Sequence, residues 1–263
     1  MDYKLWEGTP PYFEPSYGQA EPSITPYLCE GDDVRGCVII CPGGAYLGRA
    51  EHEGRPIAQK INEAGVHAFV LNYRVNPYQH PVELGDVLRA IRYVRYHAPK
   101  FHVDPYKIAV MGFSAGGHLA TSAIEHFDAG KTGPEFDEID AVSSRPDGGI
   151  LCYAVISMLE YGHALTRRSL LGDDPSPELC RSLSGECSVR DNTPPVFIWH
   201  TMQDHDVPAR GSLDLCIALQ QKGIPVEAHF FQDGPHGIGL AEAYPHSSQW
   251  SDLLNKWLIH NGY

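Results

Sequence analysis

No apolar run in the 263-residue sequence approaches the length of about 18 residues that a membrane-spanning helix needs, so no membrane partner is expected. The opening Met1-Asp2-Tyr3-Lys4-Leu5-Trp6-Glu7 has neither the basic nor the apolar region of a secretory leader. Basic residues are outnumbered: 20 Lys and Arg against 33 Asp and Glu give a net charge of -13 and form no cationic cluster. Without such a cluster there is nothing to displace counterions from a phosphate backbone, which excludes a nucleic-acid partner. The acidity itself indicates only a well-solvated, self-repelling surface. No Cys-x-x-Cys pair occurs among the seven cysteines at 29, 37, 41, 152, 180, 187 and 216. An odd, unpaired set suits free thiols in a reducing compartment, and a cytoplasmic location is expected.

The nucleotide-binding patterns Gly-x-x-x-x-Gly-Lys-Ser/Thr and Gly-x-Gly-x-x-Gly are also missing, as is His-x-x-x-His. Asp204-His205-Asp206 contains metal-ligand types, but adjacent residues seldom face one ion. No metal and no organic cofactor is expected.

What the chain does have is alternation. Apolar runs at 37–40, 68–71 and 108–111 are separated by amphipathic stretches at 55–64 and 82–96, the rhythm of a parallel sheet covered by helices on both faces. Leu84, Val87, Leu88, Ile91 and Val94 recur at helical spacing, as do Trp250, Leu253, Leu254, Trp257 and Leu258 at the C-terminal end. Three more strands are expected at 149–155, 196–199 and 226–231. Residues 1–30, rich in Pro and aromatics, read as an edge segment of loops and short strands. Residues 156–193 lack periodicity and read as a small cap insertion over the sheet's active edge. One domain over 1–263 accommodates all of it.

Gly112-Phe113-Ser114-Ala115-Gly116 stands between the apolar run 108–111 and a helix-compatible stretch. A tight strand-to-helix turn there projects the Ser114 hydroxyl above the sheet edge, as a nucleophile elbow does. A serine hydroxyl needs a base, and the base needs a carboxylate to orient it. Two loops after later strands supply these types: 200–208, which offers a carboxylate in Asp204 or Asp206, and the Gly-Pro-His-Gly turn of 232–237, which offers His236. His118, directly after the elbow, is expected to pack into the core. An oxyanion hole needs N–H donors, one from Ala115 and one from the glycine-rich loop after the first central strand, where Gly43, Gly44 and Ala45 all qualify. Tyr46, next along, is expected to bound the acyl side of a substrate.

These residues resemble the α/β-hydrolase esterases related to acetylxylan esterases and hormone-sensitive-lipase-like carboxylesterases. The resemblance covers nearly the whole chain. It rests on Pro42-Gly43-Gly44-Ala45-Tyr46 where relatives carry His-Gly-Gly-Gly-Tyr, on Val103-Asp104-Pro105, on Gly112 to Ala120, on Asp204 before Val207-Pro208, and on His236-Gly237. It implies an α/β-hydrolase fold with Ser114 as nucleophile, Asp204 and His236 as its partners, and Gly44 with Ala115 as oxyanion donors. Pro42 and Ala45 depart from the pattern and leave Gly43 and Ala45 as alternative donors. The long N-terminal cap helices of hormone-sensitive-lipase-like enzymes are absent, which shifts the likeness toward carbohydrate esterases. The activity so implied is hydrolysis of short acyl esters, above all acetyl esters of carbohydrates, with a small-molecule or oligosaccharide ester as substrate. An amide hydrolase with the same three residues, such as an arylformamidase or small peptidase, is the alternative, and a non-catalytic binding protein a more distant one. Tyr12, Phe13 and Tyr17 offer flat surface for a sugar ring, or packing against the sheet edge.

Overall fold

The central strands are apolar on both faces. In the computed structural model, which describes residues 1–263, Cys37, Ile39 and Cys41 of one strand enter one core and Val38 and Ile40 enter another. Side chains alternate across a strand, so a run without polar interruption requires cover on both sides. The strands are β1 (Tyr3–Lys4), β2 (Ser23–Tyr27), β3 (Arg35–Cys41), β4 (His67–Asn72), β5 (Val103–Phe113), β6 (Gly148–Cys152), β7 (Val196–Thr201) and β8 (Val226–Phe231). They form one sheet in the order β1-β2-β4-β3-β5-β6-β7-β8. From β4 to β8 all pairings are parallel; β1 and β2 run antiparallel at the edge.

The helices are α1 (Arg55–Asn62), α2 (Val82–Tyr96), α3 (Ala98–Phe101), α4 (Ser114–Glu125), α5 (Ala164–Leu171), α6 (Pro177–Ser182), α7 (Gly185–Ser188), α8 (Arg210–Gln221) and α9 (Trp250–His260). One face of the sheet buries Val87, Ile91 and Val94 of α2, Leu119 and Ala123 of α4, and Leu215 and Leu219 of α8. The other buries Ile57 and Ile61 of α1 and Trp250, Leu254, Trp257 and Leu258 of α9. Each large apolar side chain so buried stabilises the fold by about 1.5–3 kcal/mol before chain entropy is counted. This is the α/β-hydrolase fold. No helix is long and apolar enough to cross a membrane.

Residues 156–193 hold α5, α6 and α7, too short to print a periodicity. They are pinned to the domain by His118 of α4, whose Nε2–H donates to the Leu183 carbonyl at 2.8 Å while Nδ1 accepts the Tyr46 hydroxyl at 2.9 Å. Burial lowers the His118 pKa to about 4, which keeps the ring neutral and able to hold both bonds.

Two carboxylates of α2, Glu83 and Asp86, are fully buried beside one guanidinium. Arg74 commits to Asp86, with Nη2–Oδ1 at 2.6 Å and Nε–Oδ2 at 3.0 Å. Neither oxygen of Glu83 has a hydrogen-bond partner, and burial raises its pKa from 4.5 to about 8. Below pH 4.5 the group is protonated folded or unfolded. As pH rises toward 8 the unfolded chain ionises first, so stability is lost across that window. Glu83→Gln removes the ionisation, and chemical denaturation at pH 5 and pH 9 should show a smaller loss of stability than in the wild type, by up to a few kcal/mol. Equal pH dependence in both proteins would contradict the buried, unpaired carboxyl.

Candidate active site

β3, β5, β7 and β8 are parallel, so the loops after them emerge at one edge of the sheet. Ser114 follows β5 directly, with φ at +53°. That left-handed conformation costs a non-glycine residue about 1–2 kcal/mol and turns the side chain out of the strand-to-helix corner. The flanking glycines are steric requirements: a Cβ on Gly112 would stand 1.9 Å from the Gly116 carbonyl oxygen, and one on Gly116 would stand 2.1 Å from that of Cys41.

His236, after β8, reaches Ser114 with Nε2 2.7 Å from Oγ. Its Nδ1 lies 2.7 Å from Oδ2 of Asp204, after β7. Since a carboxylate only accepts, Nδ1 carries the proton and Nε2 is left to accept from the serine. Asp204 is itself anchored: its Oδ1 accepts the N–H groups of Val207 at 2.8 Å and Asp206 at 3.1 Å. Its Oδ2 also receives the His200 Nε2–H at 3.2 Å, which is shared with the Val207 carbonyl. Burial would push the Asp204 carboxyl up, but the hydrogen bonds from His200, His236 and Val207 outweigh it and hold the group well below the usual carboxylate range. His205 and Asp206 are exposed, and Asp233 offers its carbonyl to the Ser247 hydroxyl.

The loop after β3 lies beside the elbow. Its Gly43 is so close that a Cβ would meet Ser114 Cβ at 2.9 Å. The Gly43 N–H, however, donates to Glu53 Oε2 at 2.7 Å, which removes Gly43 from the three loop donors that the sequence allowed. Gly44, at φ +134°, and Ala45, at φ +53°, do not spend their N–H groups within the protein. Ala115, in the first turn of α4, has no intrahelical acceptor for its N–H.

Tyr46 requires a correction. Its side chain is 1% exposed, turned into the core against Tyr73 and His118, and its hydroxyl is occupied by His118. With the ring buried it is not placed to bound the acyl side as the sequence suggested; Ala45 and Tyr46 are both left-handed, at φ +53° and +58°. Two of the N-terminal aromatics have contacts of their own. Tyr17 packs edge-on against Tyr78, and Tyr12 borders a cavity with Trp6, Leu84 and Phe136 that includes none of Ser114, Asp204 or His236.

A separate cavity lies behind the elbow residue's backbone. Val155 donates its N–H to the Ser114 carbonyl at 3.0 Å, and with Ile156, Tyr161, His163, Val207 and Arg210 it lines this cavity of about 250 Å³. Sequence reasoning missed Glu53, Tyr153 and His200. Only His200 carried a signal, standing four residues before Asp204 at the end of an apolar strand.

The BD-FAE family model matches residues 27–219, well over half of the chain. The endo-1,4-beta-xylanase B of Butyrivibrio fibrisolvens is 40% identical over 242 residues, covering 90% of this chain and 38% of that protein. An acetylxylan esterase of Xylanibacter ruminicola is 29% identical, covering 88% of this chain and 47% of that one. The chain thus spans less than half the length of these curated relatives. The crystal structure of an acetyl ester-xyloside bifunctional hydrolase from Caldicellulosiruptor lactoaceticus superimposes with a TM-score of 0.96 at 43% identity, covering 100% of this chain and 96% of that one. A carboxylesterase from Lactobacillus plantarum, Cest-2923, follows the same fold at 27% identity with a TM-score of 0.77, over 91% and 93% of the two chains. With the family model matching residues 27–219, this chain belongs to the BD-FAE family, on an α/β-hydrolase fold.

Proposed function

We propose that the chain is a serine carboxylesterase that removes short acyl groups, above all acetyl, from carbohydrate esters. The observation that carries this reading is the unbroken chain of hydrogen bonds Ser114–His236–Asp204, with both links at 2.7 Å. Similarity to an acetyl ester-xyloside hydrolase along nearly its full length supports the substrate class.

In the first half-reaction Ser114 Oγ attacks the acyl carbon as His236 Nε2 takes its proton. The carbonyl oxygen becomes an oxyanion, held by the Ala115 N–H and by Gly44 or Ala45 from the opposite side. Asp204 stays ionised, stabilises the imidazolium and fixes its tautomer. The tetrahedral adduct collapses by breaking the bond to the alcohol oxygen, which receives the proton from Nε2. Water then attacks the acyl-serine with His236 again as base, releasing the acid and restoring Ser114. No cofactor enters either step. The seven unpaired cysteines support a reducing, cytoplasmic setting.

Similarity to an acetyl ester-xyloside hydrolase over the whole chain favours small acyl groups. Acetyl esters should therefore be cleaved with at least tenfold higher kcat/KM than octanoyl esters, and acetylated xylo-oligosaccharides should release acetate. Rates over acetyl, butyryl and octanoyl p-nitrophenyl esters, acetylated xylo-oligosaccharides and N-formyl aromatic amines check this. A preference for octanoyl esters sinks the acyl argument. Efficient deformylation without acetate release moves the enzyme to amide chemistry.

A further inference from the structure

Glu53 is a buried carboxylate that the reaction as written does not use. It ends a single 3-10 turn, Glu51–Glu53, just beyond the loop that carries Gly43 and Gly44. Oε2 accepts the Gly43 N–H at 2.7 Å and Oε1 accepts the Tyr153 hydroxyl at 2.6 Å. The Tyr153 oxygen in turn accepts the Gly239 N–H at 3.0 Å, three residues past His236. The Tyr153 ring stands edge-on to the His236 imidazole, with centroids 5.2 Å apart. One residue back, His52 Nε2 donates to the Gly237 carbonyl at 2.9 Å. A turn of three residues thus touches both the loop that flanks the elbow and the loop that delivers the base.

A buried carboxylate is tolerated when its oxygens are hydrogen-bonded, and here each oxygen has its own partner, Gly43 and Tyr153. The bond to Gly43 matters most. Gly43 packs against Ser114 itself, so its peptide orientation determines where the next two N–H groups point. With the Gly43 N–H turned to Glu53, the Gly44 and Ala45 N–H groups are the ones left without an acceptor in the protein.

We propose that Glu53 is a positioning residue for transition-state stabilisation: it withdraws the Gly43 amide from the oxyanion hole, orients the Gly44 and Ala45 amides toward it, and through Tyr153 fixes that loop relative to His236. The inference rests on the serine esterase reading above. A carboxylate is required because glutamine has one carbonyl oxygen and so can accept only one of the two bonds.

The test is kcat and KM for p-nitrophenyl acetate, together with Ki for a trifluoromethyl ketone that forms a tetrahedral adduct on the serine. The proteins are the wild type, Glu53→Gln, Glu53→Ala, Tyr153→Phe and the Glu53→Gln/Tyr153→Phe double variant. Glu53→Ala should lower kcat by about 100-fold or more, the scale of losing one oxyanion donor, with KM within about threefold. The trifluoromethyl ketone should weaken by the same factor, a parallel that simple loss of stability does not produce. Glutamine should restore about tenfold of the loss, and the double variant should fall well short of the product of the two single losses, since both residues serve one network. If Glu53→Ala does not fold, Glu53→Gln and Tyr153→Phe, which keep the volume, carry the test. Folded Glu53→Gln with kcat and Ki within about twofold of wild type overturns the proposal, as does a loss confined to KM. Ser114→Ala run in parallel separates the two levels: if it stays active, the esterase reading fails, and if it is dead while the Glu53 variants are unimpaired, only the positioning role fails.

Discussion

Ser114→Ala and His236→Ala are each expected to lower kcat for acetyl ester hydrolysis by a factor on the order of 10⁴ to 10⁶, and the double variant is expected to be little worse than either. The reason is that the two side chains act as one unit. Without the imidazole 2.7 Å away, the Ser114 hydroxyl keeps its proton and is a weak nucleophile; without the hydroxyl, the imidazole has nothing to activate but water. Steady-state rates for the three variants, with thermal unfolding as a check on folding, decide the matter. Losses that multiply in the double variant, or substantial turnover by Ser114→Ala, would show that another group starts the reaction.

The second large effect concerns the carboxylate. Asp204→Asn should reduce kcat by about 10⁴-fold while leaving KM nearly unchanged, because an amide facing Nδ1 favours the tautomer whose Nε2 bears the proton and cannot accept another. Asp206→Asn and Asp233→Asn should stay within about threefold of wild type. Asp206 is exposed and gives Asp204 only its backbone N–H, and Asp233 offers its carbonyl to Ser247. A mild Asp204→Asn beside a crippling Asp206→Asn or Asp233→Asn reverses the assignment. His200 adds a gradation: its Nε2–H is divided between Asp204 at 3.2 Å and the Val207 carbonyl at 2.8 Å, so its loss should weaken the orientation of Asp204 without abolishing turnover.

The fold was legible wherever a long element carried its own period. The runs at 37–40 and 108–111 lie within β3 and β5, and the helical pattern from Leu84 to Val94 lies within α2. The edge segment was legible as composition only: β1 and β2 pair antiparallel, but residues 5–22 between them form a long loop and not a tight turn. α5, α6 and α7 span four to eight residues each, fewer than the turns a periodicity needs. α8 buries just Ser212, Leu215 and Leu219, too sparse a face to stand out.

Of the residues the structure brings together, Ser114 and His236 were readable because each follows an apolar strand in a loop with a marked composition, whereas Asp204 was set apart from Asp206 only by the resemblance. The direction of a side chain was not readable. Tyr46 follows two glycines and Ala45 in the sequence, yet its ring lies in the core against Tyr73 and His118. Glu53 shows the converse. In Glu51-His52-Glu53 nothing separates the exposed acid from the buried one, and its partners Gly43, Tyr153 and, through Tyr153, Gly239 are brought to it only by the order of strands in the sheet.

In the proposed reaction the acyl group passes through Ser114. Treating the protein with a fluorophosphonate, which phosphonylates an activated serine, and mapping the adduct by peptide mass spectrometry tests it most directly. The account predicts one adduct per chain on the peptide containing Ser114, formed in step with the loss of acetyl esterase activity and absent from His236→Ala. Activity that disappears with no label on Ser114, or that survives its stoichiometric labelling, would contradict the account.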